Sequence, residues 1–256
     1  MNPETLVVSV VVAVAAGLVG CFAVMRRMAL AADALSHVAL PGIGIAIALQ
    51  IHPVYGAAAM LFFGALLVWA LERRTRAATE AVLGVVFSAA LAIGSLMTTD
   101  EELIHALIGQ PEALTAAETV VVFAAACVVV WFIVARRHHL LIMLVSPEVA
   151  RTAGINVRRL NLMFLEVFAL AIALGLRYLG VLLVGALIII PAVIAKRLAR
   201  GVQTMLVISA VIAVISTVGG MWLAQLLHRE SGPLIVIVAA SAFLLGLLKP
   251  SRSGAA

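Results

Sequence analysis

The chain has 256 residues, 65% of them hydrophobic and 11% charged, and a mean hydropathy of +1.23. No soluble domain of this size can enclose so much apolar surface, so composition defines an all-α, polytopic membrane protein. The formal net charge of +5 does not indicate nucleic acid, because the basic residues fall in short clusters between apolar spans, where they act as topology signals.

Nine apolar spans are expected in chain order, at about 5–25, 28–50, 54–71, 80–97, 113–135, 157–176, 180–196, 202–227 and 233–248. They make one transmembrane domain over 1–256, a bundle of eight or nine helices. The opening MNPETLVVSV has no basic region, so the first span is expected to stay in the chain. Cys21 and Cys127 both lie inside apolar spans, which argues against a disulfide framework. Of the 17 Lys and Arg, all but Arg177 and Arg229 follow the odd-numbered spans, which places the N-terminus outside and the C-terminus in the cytoplasm. The outer loops then carry Glu4, Asp100, Glu101, Glu102, Glu112 and Glu230 with His52, His105 and His228. Such a face concentrates cations, or is simply the solvated remainder left by the charge rule.

The longest inner loop runs from Arg136 to Arg159. At its centre Ser146 can cap a short helix, Pro147 can occupy the first turn and Gly154 can end it. That helix would lie at the inner face, as a plain connector or as a knob for a groove on a soluble partner.

Several enzyme classes are excluded by motif. The chain has no Gly-Lys pair for a phosphate loop, no His-Glu pair for a metalloprotease helix, and no Ser between glycines two residues away. What remains is a small set of intramembrane polar groups. Asp33 and His37 are four apart and share one helix face, which sets two metal-ligand types side by side. An Asp at a helix centre costs about 2.5–3.5 kcal/mol to insert, a cost usually tolerated beside a cavity, a partner or a pathway. Singly, Asp33 reads as an N-cap after Arg26 and Arg27, and His37 as a hydrogen bond to a neighbouring helix. Together, and followed by Pro41 and Gly42, they favour a metal site with a helix break that frees backbone carbonyls. Ser36 points about 100° away and is the weaker candidate. Glu166 is the other buried acid, paired with a neighbouring helix or lying on a pathway. Pro191 marks a second hinge.

These residues carry a resemblance. RRMALAADALSHVALPGIGIAIAL resembles the signature of the manganese/zinc/iron permease subunits of bacterial ABC importers, and YLGVLLVGALIIIPAVIAKRLA and GPLIVIVAASAFLL resemble its second half. The segment EVARTAG, with Glu148, Ala150 and Gly154, resembles the loop (about 146–156) by which such permeases contact their ATPase. The resemblance implies one half of a two-fold symmetric homodimer in the bacterial cytoplasmic membrane, with two ATP-binding cassette subunits on the inner side. An extracytoplasmic metal-binding protein would deliver the cargo. It also implies that Asp33 and His37 line the pore. Where the family commonly has Gly before that Asp, this chain has Ala32, small enough for close packing.

One Asp and one His fall short of the four or so ligands a transition metal takes, and two copies across a two-fold axis would supply them. The reading is therefore a non-enzymatic permease subunit for a divalent transition metal, zinc ahead of manganese or iron, with no resident cofactor. The alternatives are a permease for a chelated metal or cobalamin-like cargo, and an ion-coupled secondary transporter using Asp33, His37 and Glu166 as a relay.

Overall fold

The computed structural model describes residues 3–75, 78–97, 115–179 and 181–247. The long elements are helices: α1 (Pro3–Met25), α2 (Ala29–Ala48), α3 (Pro53–Thr75), α4 (Thr79–Met97), α5 (Ala116–Val145), α7 (Val157–Leu179), α8 (Val181–Leu198), α9 (Val202–Leu227) and α10 (Ser231–Leu247), with a short α6 (Pro147–Thr152) between α5 and α7. Seven are long and apolar enough to cross a bilayer by length and composition. The shorter apolar helices α8 and α10, of 18 and 17 residues, match the seventh and ninth expected spans. Asp100, Glu101, Glu102, His105 and Glu112, together with Arg76, Lys249 and Arg252, lie outside the described residues.

The first two helices form the centre of the bundle. The apolar windows of α1 and α2 are 78% and 67% buried, whereas none of the other five candidate spans exceeds 50%. α1 is apolar all round, the pattern of a helix enclosed by others. α2 packs on α3, α4 and α8. Its contact with α3 is backbone to backbone at Gly42 and Gly56, because a Cβ on either glycine would strike the other's carbonyl oxygen. Small residues permit such approach where no hydrophobic effect drives helices together.

Both ends of α2 are tied by turns that the sequence hides. Arg27 takes a left-handed φ of 60°, and the amides of Arg27 and Met28 donate to the carbonyls of Val24 and Ala23. Gln50 takes φ 58°, and Gln50 and Ile51 donate to Ile47 and Ala46. Each is a Schellman closure with a long polar residue where glycine is usual.

One expected boundary is corrected. The fifth span was placed at 113–135, but α5 begins at Ala116 under a capping box of Thr115 and Glu118 and runs to Val145. Arg136, Arg137, His138 and His139 end an apolar stretch without ending a helix; the stop is Ser146-Pro147. At 1.5 Å per residue, 30 residues span about 45 Å, some 15 Å beyond the hydrocarbon core. The connection from α5 to α7 is correspondingly short and carries α6.

α6 itself is as expected. The Ser146 hydroxyl accepts from the Val149 amide at 3.3 Å, and Pro147 fills the first position. Gly154 has φ 76°, with Gly154 donating to Arg151 and Ile155 to Ala150, again a Schellman closure.

The ends of α1, α3 and α7 meet on one face, as the charge alternation requires. Arg26 donates to Asn161, and Asn161 donates to Glu72 at 3.0 Å. The Arg26 guanidinium lies over the Phe164 ring at 4.7 Å, and Trp69 donates to the Arg158 carbonyl at 3.1 Å. Burial lowers the Arg26 pKa from its ordinary value, and the Glu72 carboxylate opposes that shift. Arg26 is thus an internal strut as well as a topology signal.

Candidate functional site

Asp33 is the fifth residue of α2, about 6 Å along the axis from the helix start. It caps nothing: Met28 is the N-cap, and no side chain bonds there. The capping explanation for the acid therefore falls away. Ser36 donates its hydroxyl to the Asp33 carbonyl at 2.7 Å and is buried, turned into the helix backbone.

The open face of α2 is narrow. Ala31, Ala32, Leu35, Ser36 and everything from Val38 to Gly44 are buried. Leu30, at 79% exposure, and Asp33 are exposed, while Ala34 and His37 are half-buried. These four recur at intervals of three and four, so they form one stripe. The only acid and the only imidazole of α2 thus stand together on its open side. Asp33 lies within electrostatic range of the His37 ring.

His37 is oriented by an aromatic edge. Its ring meets Phe87 of α4 at a centroid distance of 5.4 Å and an interplanar angle of 64°. Its Nδ1 is enclosed with no hydrogen-bond partner. A buried ring nitrogen without a partner is unusual enough to call for a functional explanation. Four residues on, Pro41 lacks the amide that would bond to the His37 carbonyl. The expected break at Pro41 and Gly42 does not follow, since α2 runs unbroken through both; α8 is also continuous through Pro191, where a kink or hinge bends a helix without ending it. Gly94 of α4 and Gly56 of α3 press on the α2 segment from two sides and hold it helical.

Glu166 is half-buried on α7 and has no hydrogen bond or ion pair among the described residues. The expected interhelical pairing is not found among the described residues, and among them no group of three His, Cys, Asp or Glu could hold a metal. Both cysteines are free. In α6, Glu148 is exposed and Ala150 fully buried, and Gly154, just past the helix end, is exposed. Sequence reasoning missed Phe87 and Glu72; an aromatic in an apolar span carries no signal, and neither does an acid beside Arg73 and Arg74 at a span end.

Seven helices long and apolar enough to cross a bilayer, packed around α1 and α2, define a multi-span helical membrane protein. The chain belongs to the ABC 3 transport family, which it matches over residues 3–250. It is 30% identical to the high-affinity zinc uptake system membrane protein ZnuB of Haemophilus influenzae, over 91% of both chains. It is 31% identical to the chelated iron transport system membrane protein YfeD of Yersinia pestis, over 96% of this chain and 84% of that one. With the manganese transport system membrane protein MntC of Listeria monocytogenes it shares 27% identity, over 98% and 91% of the two chains. Its fold superposes on a chain of PsaBC from Streptococcus pneumoniae with a TM-score of 0.82, at 24% identity and coverage of 96% and 91%.

Proposed function

We propose that this chain is the permease subunit of an ABC importer that carries a divalent transition metal inward across the bacterial cytoplasmic membrane, zinc first, manganese or iron next. The carrying observation is the stripe of α2: an exposed carboxylate and a half-buried imidazole on the open side of an otherwise enclosed membrane helix. Facing lipid, that carboxylate would cost about 2.5–3.5 kcal/mol. Facing a second copy across a two-fold axis, it lines a path with two carboxylates and two imidazoles, a set that suits zinc or manganese. Incomplete coordination also favours release, which transport needs. The relatives named for zinc, iron and manganese uptake support the cargo class.

ATP is hydrolysed on separate partner subunits, docked where α6 exposes Glu148 and Gly154, with Ala150 packing behind them. The N-terminus lies outside and the C-terminus in the cytoplasm, and an extracytoplasmic protein delivers the ion. A carrier working alone is disfavoured because Asp33, His37 and Glu166 form no cluster within one chain.

Reconstitution in liposomes with the partner ATPase tests this, with uptake measured element by element. Asp33→Asn and His37→Ala should each abolish uptake while the complex still assembles, because neither side chain makes a hydrogen bond that holds the bundle among the described residues. Asn keeps the shape and polarity of the acid and removes only its charge. Wild-type uptake by Asp33→Asn at normal expression would remove Asp33 from the path. Uptake without any ATPase would sink the importer reading itself.

A further inference from the structure

We infer that Gly185 of α8 is a positioning residue for Asp33: by lacking a side chain it fixes where the Asp33 backbone, and with it the carboxylate, meets the metal path. The inference rests on the proposed role of Asp33 as a transient ligand and adds the residue that sets its place.

Two observations converge on it. The first concerns the acid. Among the described residues no hydrogen bond or ion pair holds the Asp33 carboxylate. Its position is therefore inherited from the backbone beneath it rather than fixed by a polar partner. Ligand sites are usually held by bonded neighbours around the ligands. Here packing has to do that work.

The second concerns what lies beneath. A Cβ built on Gly185 would stand 3.2 Å from the Asp33 amide nitrogen, 3.3 Å from its Cα and 3.5 Å from its Cβ. The nearest neighbours are all atoms of Asp33, so an added methyl pushes on this residue. Distances of 3.0–3.4 Å require the neighbour to give by a few tenths of an ångström.

Which side gives is decided by the rest of α8. One turn along, Ile188 lies against α1 at Gly20, so closely that a Cβ there would fall 2.9 Å from the Ile188 carbonyl carbon and 3.3 Å from Ala192 Cβ. α1 thus shares the Gly185 face of α8, while α7, α9 and α10 also pack on α8, so α8 has little room to retreat. The Asp33 turn, in contrast, is open on its far side. A methyl at 185 therefore displaces Asp33 outward and leaves α8 where it is.

The size follows. If misplacing a group by 1 Å costs about 100-fold, a shift of about 0.3 Å costs about four-fold. Gly185→Ala should raise the KM for imported metal about four-fold, with the maximal rate per assembled complex unchanged. Gly219→Ala is the control, since a Cβ there meets only Val238 Cγ1, at an ordinary 3.6 Å; it should behave as wild type.

The experiment uses the permease–ATPase complex in liposomes together with its extracytoplasmic metal-binding protein, loaded separately with Zn²⁺, Mn²⁺ or Fe²⁺, and with Asp33→Asn run in parallel. A raised KM for Gly185→Ala alone supports the inference. An unmoved KM overturns it, and so does a loss of assembly or of maximal rate alone, which would make Gly185 a packing residue. If Asp33→Asn also transports normally, the ligand reading fails first; if Asp33→Asn is dead and Gly185→Ala keeps its KM, only the positioning inference fails.

Discussion

Gly154 gives a clean test of α6, because the only thing its side chain could disturb is the backbone. Its φ is 76°, and a Cβ built there would have nothing within 4 Å. Steric crowding is therefore absent, and replacement by Ala carries the left-handed penalty alone, about 1–2 kcal/mol. Asn visits that region far more readily than Ala, so Gly154→Asn should lose much less. A penalty of 1–2 kcal/mol shifts a local equilibrium about 5- to 30-fold. The affected equilibrium is the closure of α6, whose last bonds run from Gly154 to Arg151 and from Ile155 to Ala150. Hydrogen exchange at the Gly154 and Ile155 amides should accelerate by that factor in Gly154→Ala and by clearly less in Gly154→Asn. In the reconstituted importer the Ala variant should also hydrolyse more ATP per ion carried. Equal exchange in the two variants would refute the argument, since it would mean that φ does not govern the turn.

Two further outcomes concern the bundle. Gly42→Leu should destabilise by at least about 3 kcal/mol and prevent recovery of folded protein, since even its Cβ would sit 2.6 Å from Met60 Cβ and 2.7 Å from the Gly56 carbonyl carbon; thermal unfolding in detergent measures it. Ser209→Ala should cost far less, about 0.6 kcal/mol, although it removes a buried bond of 2.7 Å to the Gly17 carbonyl, because polar side chains within a membrane find other partners when that bond is lost; a loss above about 2 kcal/mol in the same assay would contradict this.

The parts of this fold written in hydropathy were readable from the chain. All nine apolar stretches have a long helix, since an apolar run of that length has few other ways to satisfy its backbone in lipid. Helix ends were less legible where the stop signal was something other than a change of polarity. α5 runs through two arginines and two histidines because charge does not break a helix, whereas Ser146-Pro147 does. The clue at its start, Thr115 followed by Glu118, was present as a capping pattern. The closures at Arg27 and Gln50 carried no such clue, because neither left-handed position is occupied by the glycine or asparagine that usually marks one.

The site divides along the same line. That Asp33 and His37 share a face follows from spacing alone. That the face is open does not, because Leu30, Asp33 and His37 differ from their buried neighbours only in where α3, α4 and α8 happen to lie. Exposure is what separates the two readings of Asp33. A capping acid has its partner in its own helix, and a buried acid needs one in the bundle. Asp33 has neither among the described residues, yet it sits on a helix two-thirds enclosed within a membrane protein. An unpartnered carboxylate at such a position is stable only if water or a counter-charge reaches it from the open side. The proposed pairing of two copies, with these stripes facing each other, would supply the water between transport events and the counter-charge during them.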